Sequence, residues 1–220
     1  MYAKKTDFMK ILVLGATGRT GSLLARLAVS KAHQVKAVVR DRIKANIAGV
    51  NYINGLPTDE KLLTEILQGI DAVVVSLNIS RRSDSPYAKV VSPLTLISET
   101  VKSVLSAMEK NNVKRIISVS ASGVGDSWKD MPWIGRVFIR NSNIWKAYLD
   151  HDRQEKLLRK SQMDWTIVRP VMLNDKENED YKVAHGKPAN SSISRKAVAK
   201  FILDALESGK YVKDCVTLSC

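Results

Sequence analysis

The feature that most constrains this chain is a glycine pattern near its start. Residues 11–14 are all apolar and predict a buried parallel strand, and Gly15, Gly18 and Gly21 then lead into a stretch with helical spacing. A strand that enters a helix through such a turn leaves backbone N–H groups at the positive end of the helix dipole, where a pyrophosphate can bind. The spacing, G-x-x-G-x-x-G, is a variant of the dinucleotide-binding pattern G-x-G-x-x-G. The turn therefore predicts dinucleotide binding, and a tight turn without a ligand is the alternative.

Each glycine of this turn has a separate expected role. Gly15 makes the tight turn, Gly18 allows a phosphate to approach closely, and Gly21 lets the helix pack on the strand. The candidate cofactor-binding residues of the turn are Gly15, Ala16, Thr17, Gly18, Arg19, Thr20 and Gly21.

The end of the second apolar strand, 34–39, indicates which dinucleotide is bound. Arg40 follows it, nineteen positions after Gly21. An acidic residue near this place holds the ribose 2′-hydroxyl of NAD, whereas an arginine suits the 2′-phosphate of NADP. A guanidinium stays charged at any working pH and can grip a phosphate with two hydrogen bonds. We expect Arg19, Arg40 and Lys44 to converge on that phosphate, so NADPH is favoured over NADH.

Asp41 is the residue that argues against this preference. Its carboxylate could hold the ribose of NAD instead. We favour its other interpretation, as the N-cap of a short helix that begins at Arg42. For Arg40, the alternative is a solvated strand end without a ligand.

The composition is that of an ordinary globular protein. The chain has 220 residues, 45% hydrophobic and 26% charged, which gives room for one domain with a large core. No apolar run is long enough to span a bilayer, and residues 1–8 lack the apolar stretch of a secretory signal, so we expect a flexible extension there. Cys215 and Cys220 and three scattered histidines argue against a disulfide framework or a metal site. We predict one domain over 1–220, in a reducing cytoplasm, without a metal.

The net charge of +13 raises the question of nucleic-acid binding. The basic residues are spread over strand ends and helices, and no helix-turn-helix, zinc-finger or RNA-recognition pattern is present. We interpret the charge as solvated surface together with a field that attracts an anionic cofactor. Nucleic-acid binding is therefore not favoured.

Strand and helix patterns alternate along the chain, which is typical of a doubly wound parallel sheet. We expect residues 174–180, an acidic stretch, to be a mobile loop, and residues 212–218 to add an edge strand. The predicted helix N-caps are Thr58, Ser92 and Ser194.

The strand order also predicts where a ligand lies. In an open parallel sheet, ligands bind at the carboxyl ends of the strands, where the strand order reverses. This rule brings the glycine turn, Arg40 and the loops after the fourth, fifth and sixth strands around one crevice. The loop residues concerned are Leu77, Asn78, Ser120, Ala121, Ser122, Pro170, Val171 and Met172.

Residues 128–145 form the least regular segment and contain three of the four tryptophans. We expect an insertion over the site. Trp133, Phe138 and Trp145 could stack on a flat acceptor. Packing in the core or against a second copy is the alternative, which we favour slightly.

These motifs together resemble a known family. The chain is similar to atypical short-chain dehydrogenase/reductases of the NAD(P)H-binding, NmrA-like kind, and most of all to the biliverdin reductase B/flavin reductase branch. The matching segments are GATGRTG at 15–21, VVRD at 38–41, DAVVV at 71–75, NVKRIISVSASG at 112–123, HDRQEKLLRKS at 151–161 and WTIVRP at 165–170.

The resemblance implies a Rossmann-like fold and a role for each matching segment. It puts residues 15–21 on the pyrophosphate, Arg40 with Lys44 on the 2′-phosphate, and Leu77 beside the adenosine. It also puts residues 120–121 near the nicotinamide and residues 170–172 around its pocket.

Three positions depart from the family pattern. Gly55 stands where members usually have an aspartate that touches the adenine. Tyr148 is followed four positions later by Asp152, so the Tyr-x-x-x-Lys pair of orthodox dehydrogenases is missing. Val171 stands where the biliverdin/flavin reductases have a histidine. No orthodox proton donor is present.

Two hypotheses of function follow. The first is an NADPH-dependent oxidoreductase that reduces a small planar or carbonyl acceptor such as a flavin, a quinone or a tetrapyrrole. In it Ser120 and Ser122 polarise the acceptor and His151 donates a proton. The alternatives are structural roles: the serines form hydrogen bonds with local backbone, and the histidine lies on the exposed face of its helix.

The second hypothesis is a non-catalytic NADP(H) sensor. Sugar-nucleotide chemistry is less favoured, because it needs the missing pair and a larger substrate domain. Monomer and homodimer both stay open.

Overall fold

The computed structural model describes residues 8–41 and 46–220. Lys44, the helix expected from Arg42 and nearly all of the expected N-terminal extension lie outside the described residues. The described strands are β1 (Lys10–Leu14), β2 (Gln34–Val39), β3 (Val50–Asn54), β4 (Ala72–Val75), β5 (Arg115–Val119), β6 (Asp164–Pro170), β7 (Met172–Asn174), β8 (Lys182–Ala184), β9 (Ser192–Ser194) and β10 (Asp214–Ser219). The helices are α1 (Arg19–Ser30), α2 (Glu60–Ile66), α3 (Leu96–Lys110), α4 (Trp133–Arg140), α5 (Ile144–Lys160) and α6 (Arg195–Ser208).

Eight of these strands form one sheet in the order β3-β2-β1-β4-β5-β6-β10-β8. All neighbours pair in parallel except β8, which runs antiparallel to β10. The strand order reverses between β1 and β4, the place where ligands bind in such sheets. The chain therefore has the expected Rossmann-like, doubly wound α/β fold. The short strands β7 and β9 pair separately, beyond the carboxyl end of β6.

Both faces of the sheet are covered by helices, as the apolar strands require. Helices α1 and α6 pack on one face, and α2, α3 and α5 pack on the other. The residues of β4 are fully buried, as are 11–14 in β1, because alternate side chains enter the two cores. The two central strands therefore hold the loops that follow them in fixed positions.

A strand at 212–218 was predicted at the edge of the sheet, and this predicted position is wrong. Strand β10 pairs with β6 on one side and with β8 on the other, because 182–184 returns antiparallel alongside it. The acidic segment at 174–180 is joined to α6 by ion pairs of Asp175 with Arg195 and of Glu177 with Lys196. Its mobility stays a prediction.

One of the three predicted N-caps is confirmed. The Ser194 hydroxyl accepts a hydrogen bond from the Ala197 N–H at 2.9 Å. Thr58 is wrong, because Asp59 caps α2 and accepts from the Leu62 N–H at 3.1 Å.

Ser92 is also wrong as a cap, because α3 begins only at Leu96. A buried carboxylate from α5 takes the role: Asp150 Oδ2 accepts from the Ile97 N–H at 2.8 Å. The Ser92 hydroxyl instead accepts from the Ser80 N–H at 2.8 Å. Local sequence could not reveal a cap that comes from another helix.

None of the described helices is long and apolar enough to cross a membrane. Within the same residues, no cluster of three or more His, Cys, Asp or Glu side chains is arranged to hold a metal ion.

Candidate functional site

The glycine turn between β1 and α1 is required by close packing. Gly15 has a φ of +95°, and a Cβ there would lie 2.3 Å from the Ser76 carbonyl oxygen at the end of β4. A Cβ on Gly21 would lie 2.2 Å from the Gly15 carbonyl oxygen. Helix α1 therefore approaches the turn as closely as backbone allows, which is the packing expected for these two glycines.

Gly18 leaves the N-terminus of α1 open. No side chain caps this helix, and its first turn contains no acidic residue. A Cβ on Gly18 would make one tight contact, 3.1 Å from the Gly15 carbonyl oxygen, and would otherwise face open space. The first N–H groups of a helix have no partner within it, and the dipole there favours an anion. This end of α1 is suited to a phosphate.

A cleft of about 510 Å³ lies in front of this turn. Most of the residues predicted to bind the cofactor line it. Those residues are Gly15, Thr17, Gly18, Arg19, Thr20, Arg40, Leu77, Asn78 and Ser120. Ala16 and Gly21 do not line it, because Ala16 packs into the core and Gly21 lies under the turn. Their part is to shape the turn.

A second, larger cavity of about 1090 Å³ adjoins the cleft. It receives the remaining predicted residues of the β5 and β6 loops, namely Ala121, Ser122, Pro170, Val171 and Met172. Several side chains line both spaces and mark their junction: Arg19, Asn78, Arg81, Asp84, Ser120, His151, Leu173 and Arg195. The two cavities therefore form one site with a narrow part and a wide part.

The segment expected as an insertion covers the wide part. A 3-10 helix (Gly125–Asp130) and α4 form it, and Met131 and Phe138 line the larger cavity. Trp133 points away and is 67% exposed. Trp145 packs 5.3 Å from Trp128, with Arg140 over both rings. Of the three aromatics considered for stacking on an acceptor, only Phe138 lines this cavity.

His151 is not on an exposed face, so that expectation is wrong. It is 4% exposed and lies at the junction of the two cavities. Its burial lowers the pKa to about 4, which favours the neutral ring near pH 7, and its role as a proton donor stays a prediction.

The proton of the neutral His151 ring can be assigned from its neighbours. The Gln154 amide oxygen accepts from the Ser118 hydroxyl at 2.8 Å, and its nitrogen donates to the Val119 carbonyl at 3.0 Å. These bonds fix the amide, so its nitrogen is the group 2.7 Å from His151 Nδ1. Nδ1 must then accept, and the proton is on Nε2.

Ser120 is held by a buried ion pair and not by local backbone. Its hydroxyl donates to Glu155 Oε1 at 2.6 Å, and Arg169 Nε donates to the same oxygen at 2.9 Å. Arg169 Nη2 also reaches Asp126 Oδ1 at 2.5 Å. Burial alone would lower the pKa of Arg169, but its bonds to Glu155 raise it. Since Ser120 gives its one proton to Glu155, it can only accept a hydrogen bond from a ligand.

Ser122 and Tyr148 form a second pair at the wall of the larger cavity. The Tyr148 hydroxyl donates to the Ser122 carbonyl at 2.9 Å. Burial raises the pKa of Tyr148 to about 12. Asp152, four residues on, pairs with Lys156 at 2.6 Å. The tyrosine therefore lacks the lysine that an orthodox dehydrogenase places at this spacing.

Sequence reasoning missed three charged residues at the junction. Asp84 binds Arg19 through two hydrogen bonds of 2.9 and 3.1 Å, and Arg195 binds Asp175 at 2.6 Å. Arg81 is the third. Arg19 thus pairs with a carboxylate here, while Arg40 lines the cleft separately. The polar segment RRSDSP after β4 was the available signal for Arg81 and Asp84, but a polar loop sequence does not show where its side chains point.

A model of the NAD(P)H-binding family matches residues 15–209. The chain belongs to this family. The match extends from the first glycine of the turn to the glycine that ends α6, and so includes the whole site.

Curated relatives share about a quarter to a third of their residues with this chain over the aligned parts. Photosystem II assembly factor Ycf39 of Synechocystis is 25% identical over 73% of this chain and 44% of the relative, and that of Trieres chinensis is 24% identical over 90% and 60%. A probable pinoresinol-lariciresinol reductase 3 of Arabidopsis thaliana is 32% identical over 31% of this chain and 24% of its own. The chain spans less than two thirds of the length of each of these relatives.

Solved structures share the fold. A short-chain dehydrogenase/reductase of Veillonella parvula in complex with NADP superposes with a TM-score of 0.77 at 19% identity, covering 97% of this chain and 95% of that one. The anaerobilin reductase ChuY of Escherichia coli O157:H7 gives 0.78 at 20% identity, covering 95% and 96%. The predicted Rossmann-like fold and the predicted membership of an NAD(P)H-binding family are therefore confirmed.

Proposed function

We propose that the protein is an NADPH-dependent reductase that passes a hydride to a small planar or carbonyl acceptor. One observation carries this proposal: a cleft at an open helix N-terminus joins a cavity large enough for a ring system, and His151 lies where they meet. The nicotinamide would fill only part of the larger cavity, and a site that only held a dinucleotide would not need the remaining space.

The cleft suits the adenosine and pyrophosphate part of a dinucleotide. The N-terminus of α1 would hold the pyrophosphate, and Arg40 would hold a 2′-phosphate beside the adenosine. Leu77 gives an apolar wall for the adenosine. Residues 120–121 and 170–172 would surround the nicotinamide. When bound, NADPH supplies the hydride, and the protein supplies position and field.

The polar groups at the junction define how an acceptor would be polarised. His151 is neutral with its proton on Nε2, so it would donate a hydrogen bond to an acceptor oxygen or nitrogen that gains negative charge. Ser122 is a second donor, because its hydroxyl has no hydrogen bond to the described residues. Ser120 would only accept. The neutral His151 would keep its proton, so the proton that follows the hydride would come from water.

The relatives support this class of reaction. One structural neighbour is an anaerobilin reductase by name, and another is a complex with NADP. The cleft and the larger cavity together offer space for a dinucleotide and a second ligand. The preference for NADPH over NADH and the choice among flavin, quinone and tetrapyrrole belong to this proposal.

The test is a titration of NADPH and NADH into the pure protein, followed by FMN, a quinone and biliverdin with absorbance read at the nicotinamide band. We expect NADPH to bind more tightly than NADH and to be oxidised only when an acceptor is added. His151→Gln should lower kcat while binding of NADPH changes little. NADPH that binds tightly and is oxidised by none of these acceptors would contradict the proposal.

A second candidate is a non-catalytic NADP(H) sensor. The observation that favours it is Tyr148, which is bonded to the Ser122 carbonyl and lacks a lysine partner. A sensor would bind NADPH and NADP⁺ with different affinities and show no turnover. We also keep the cytoplasmic setting as a prediction, with monomer and homodimer as alternatives that sedimentation would separate.

A further inference from the structure

The junction contains three arginines, and two of them are neutralised. Arg19 is bound by Asp84, and Arg195 is bound by Asp175. Arg81 forms no ion pair with any described carboxylate, and its Nε is buried without a hydrogen-bond partner. The Nη atoms of Arg81 have no hydrogen bond to a described residue either, so the whole guanidinium lies at the junction without an acceptor, where an anion can supply one.

The backbone holds Arg81 firmly at this place. Arg81 pairs with Val90 in an antiparallel bridge, in the loop between β4 and α3. On either side, the Val91 N–H donates to the Ser80 carbonyl at 2.9 Å and the Arg82 N–H donates to the Lys89 carbonyl at 3.0 Å. The guanidinium therefore extends from a fixed hairpin into the junction, and it lines both the cleft and the larger cavity.

The charge of the larger cavity agrees with an anionic occupant. Four cations and three carboxylates line it, a balance of one positive charge. They are Arg19, Arg81, Lys187 and Arg195 against Asp84, Asp130 and Asp175. The neutral His151 adds nothing to this sum.

We propose that Arg81 binds an anionic group, a carboxylate or a phosphate, on the acceptor. This inference rests on the proposed function. The anionic groups of the cofactor have other partners in the site, namely the N-terminus of α1 and Arg40, which leaves Arg81 for the second ligand. A guanidinium forms charge-assisted hydrogen bonds with either anion, so the acceptor is a flat molecule with an acidic substituent.

Matched ligands test this specificity. FMN and riboflavin differ by one phosphate, and biliverdin and its dimethyl ester differ by two carboxylates. Binding of each is measured by titration to the protein saturated with NADP⁺, so the readout does not depend on turnover. We expect the wild type to prefer the anionic member of at least one pair by about tenfold, the size of one charge-assisted hydrogen bond.

Arg81→Gln should abolish that preference by weakening the anionic ligand about tenfold, with the neutral one unchanged. Arg82→Gln is the control, because it removes the same charge from the neighbouring residue, which lines neither cavity. It should keep the preference. An Arg81→Gln protein that keeps the preference, or a wild type with no preference in either pair, overturns the inference.

Two further results separate the possibilities. If Arg81→Gln instead weakens NADPH about tenfold and leaves both ligand pairs unchanged, Arg81 serves the cofactor and the inference is wrong. If the preference depends on Arg81 but NADPH is never oxidised, the anion site stands and the reductase proposal fails.

Discussion

The two cavities of this site are formed by different kinds of chain segment. The phosphate end of the cleft is one continuous glycine turn, which contributes residues 15 and 17–20, and Arg40, Leu77 and the loop at 78–84 line much of the rest. The larger cavity is formed by side chains from segments far apart in the chain. Most of its lining lies in the segments 78–86, 120–122, 127–151, 170–175 and 186–195.

This difference separates what the family shares from what is particular to the chain. A backbone site needs glycines at fixed places and few other identities, so unrelated acceptors can be served by the same turn. A side-chain site changes with each residue that packs around it. Variants on each side of the junction should therefore fail in different ways.

The largest effect is expected on the acceptor side, at the ion pair under Ser120. The side chains of Glu155 and Arg169 are 2% and 5% exposed. Glu155→Gln leaves a buried guanidinium with only Asp126 as its counter-charge, and should lower the free energy of unfolding by about 3 kcal/mol. Urea unfolding measures this loss.

Asp126→Asn is the control for this prediction. It removes a carboxylate from the same arginine, but the Asp126 side chain is 68% exposed. An exposed pair contributes within about 1 kcal/mol, so the variant should stay close to the wild type. Equal losses in both variants would contradict the importance of the buried pair.

The same difference explains how much the sequence could predict. The turn and the doubly wound parallel sheet follow from local patterns, because each glycine contact joins residues close in the chain or at the ends of adjacent central strands. Arg40 was predicted for the same reason: it follows the strand next to the turn. Here local rules and topology are sufficient.

The acceptor side needed contacts that no local rule contains. His151 is buried because α5 packs over the sheet with Gln154 and Glu155 turned inward, and a helical pattern of charged residues gave no sign of it. The partner of Ser120 lies 35 residues away, and the cap of α3 is Asp150. Buried polar pairs between distant segments therefore account for most of what was missed.

The second prediction concerns the junction itself. His151 has a pKa of about 4 in the folded protein and near 6.5 when unfolded, so the unfolded chain binds the proton first as the pH falls. The contribution of the neutral His151 to the free energy of unfolding is fully present above pH 6.5 and is lost as the pH falls towards 4. The total loss is about 3 kcal/mol. His151→Gln should flatten this limb of the stability profile, as measured by urea unfolding at a series of pH values.

His185→Gln is the matched control, since the His185 side chain is 64% exposed and lines neither cavity. It should keep the loss of stability at acid pH that the wild type shows. A wild type whose stability does not change between pH 6.5 and pH 4 would contradict the burial of a neutral His151.

The smallest of these effects should be confined to the cleft. Arg40→Ala removes the group proposed to hold the 2′-phosphate, and should weaken NADPH binding by about 1.5–3 kcal/mol, the scale of a hydrogen bond to a charged group. NADH has no such phosphate, so its affinity should stay nearly unchanged in the same variant and serves as the internal control. Because Arg40 does not line the larger cavity, binding of FMN to the NADP⁺-saturated variant should also be unchanged.

Equal losses for NADPH and NADH in calorimetric titrations would contradict the assignment of Arg40 to the 2′-phosphate. A loss of FMN binding alone would mean that a change in the cleft alters ligand binding in the larger cavity. The contrast between the glycine turn of the cleft and the side chains of the larger cavity therefore depends on this result.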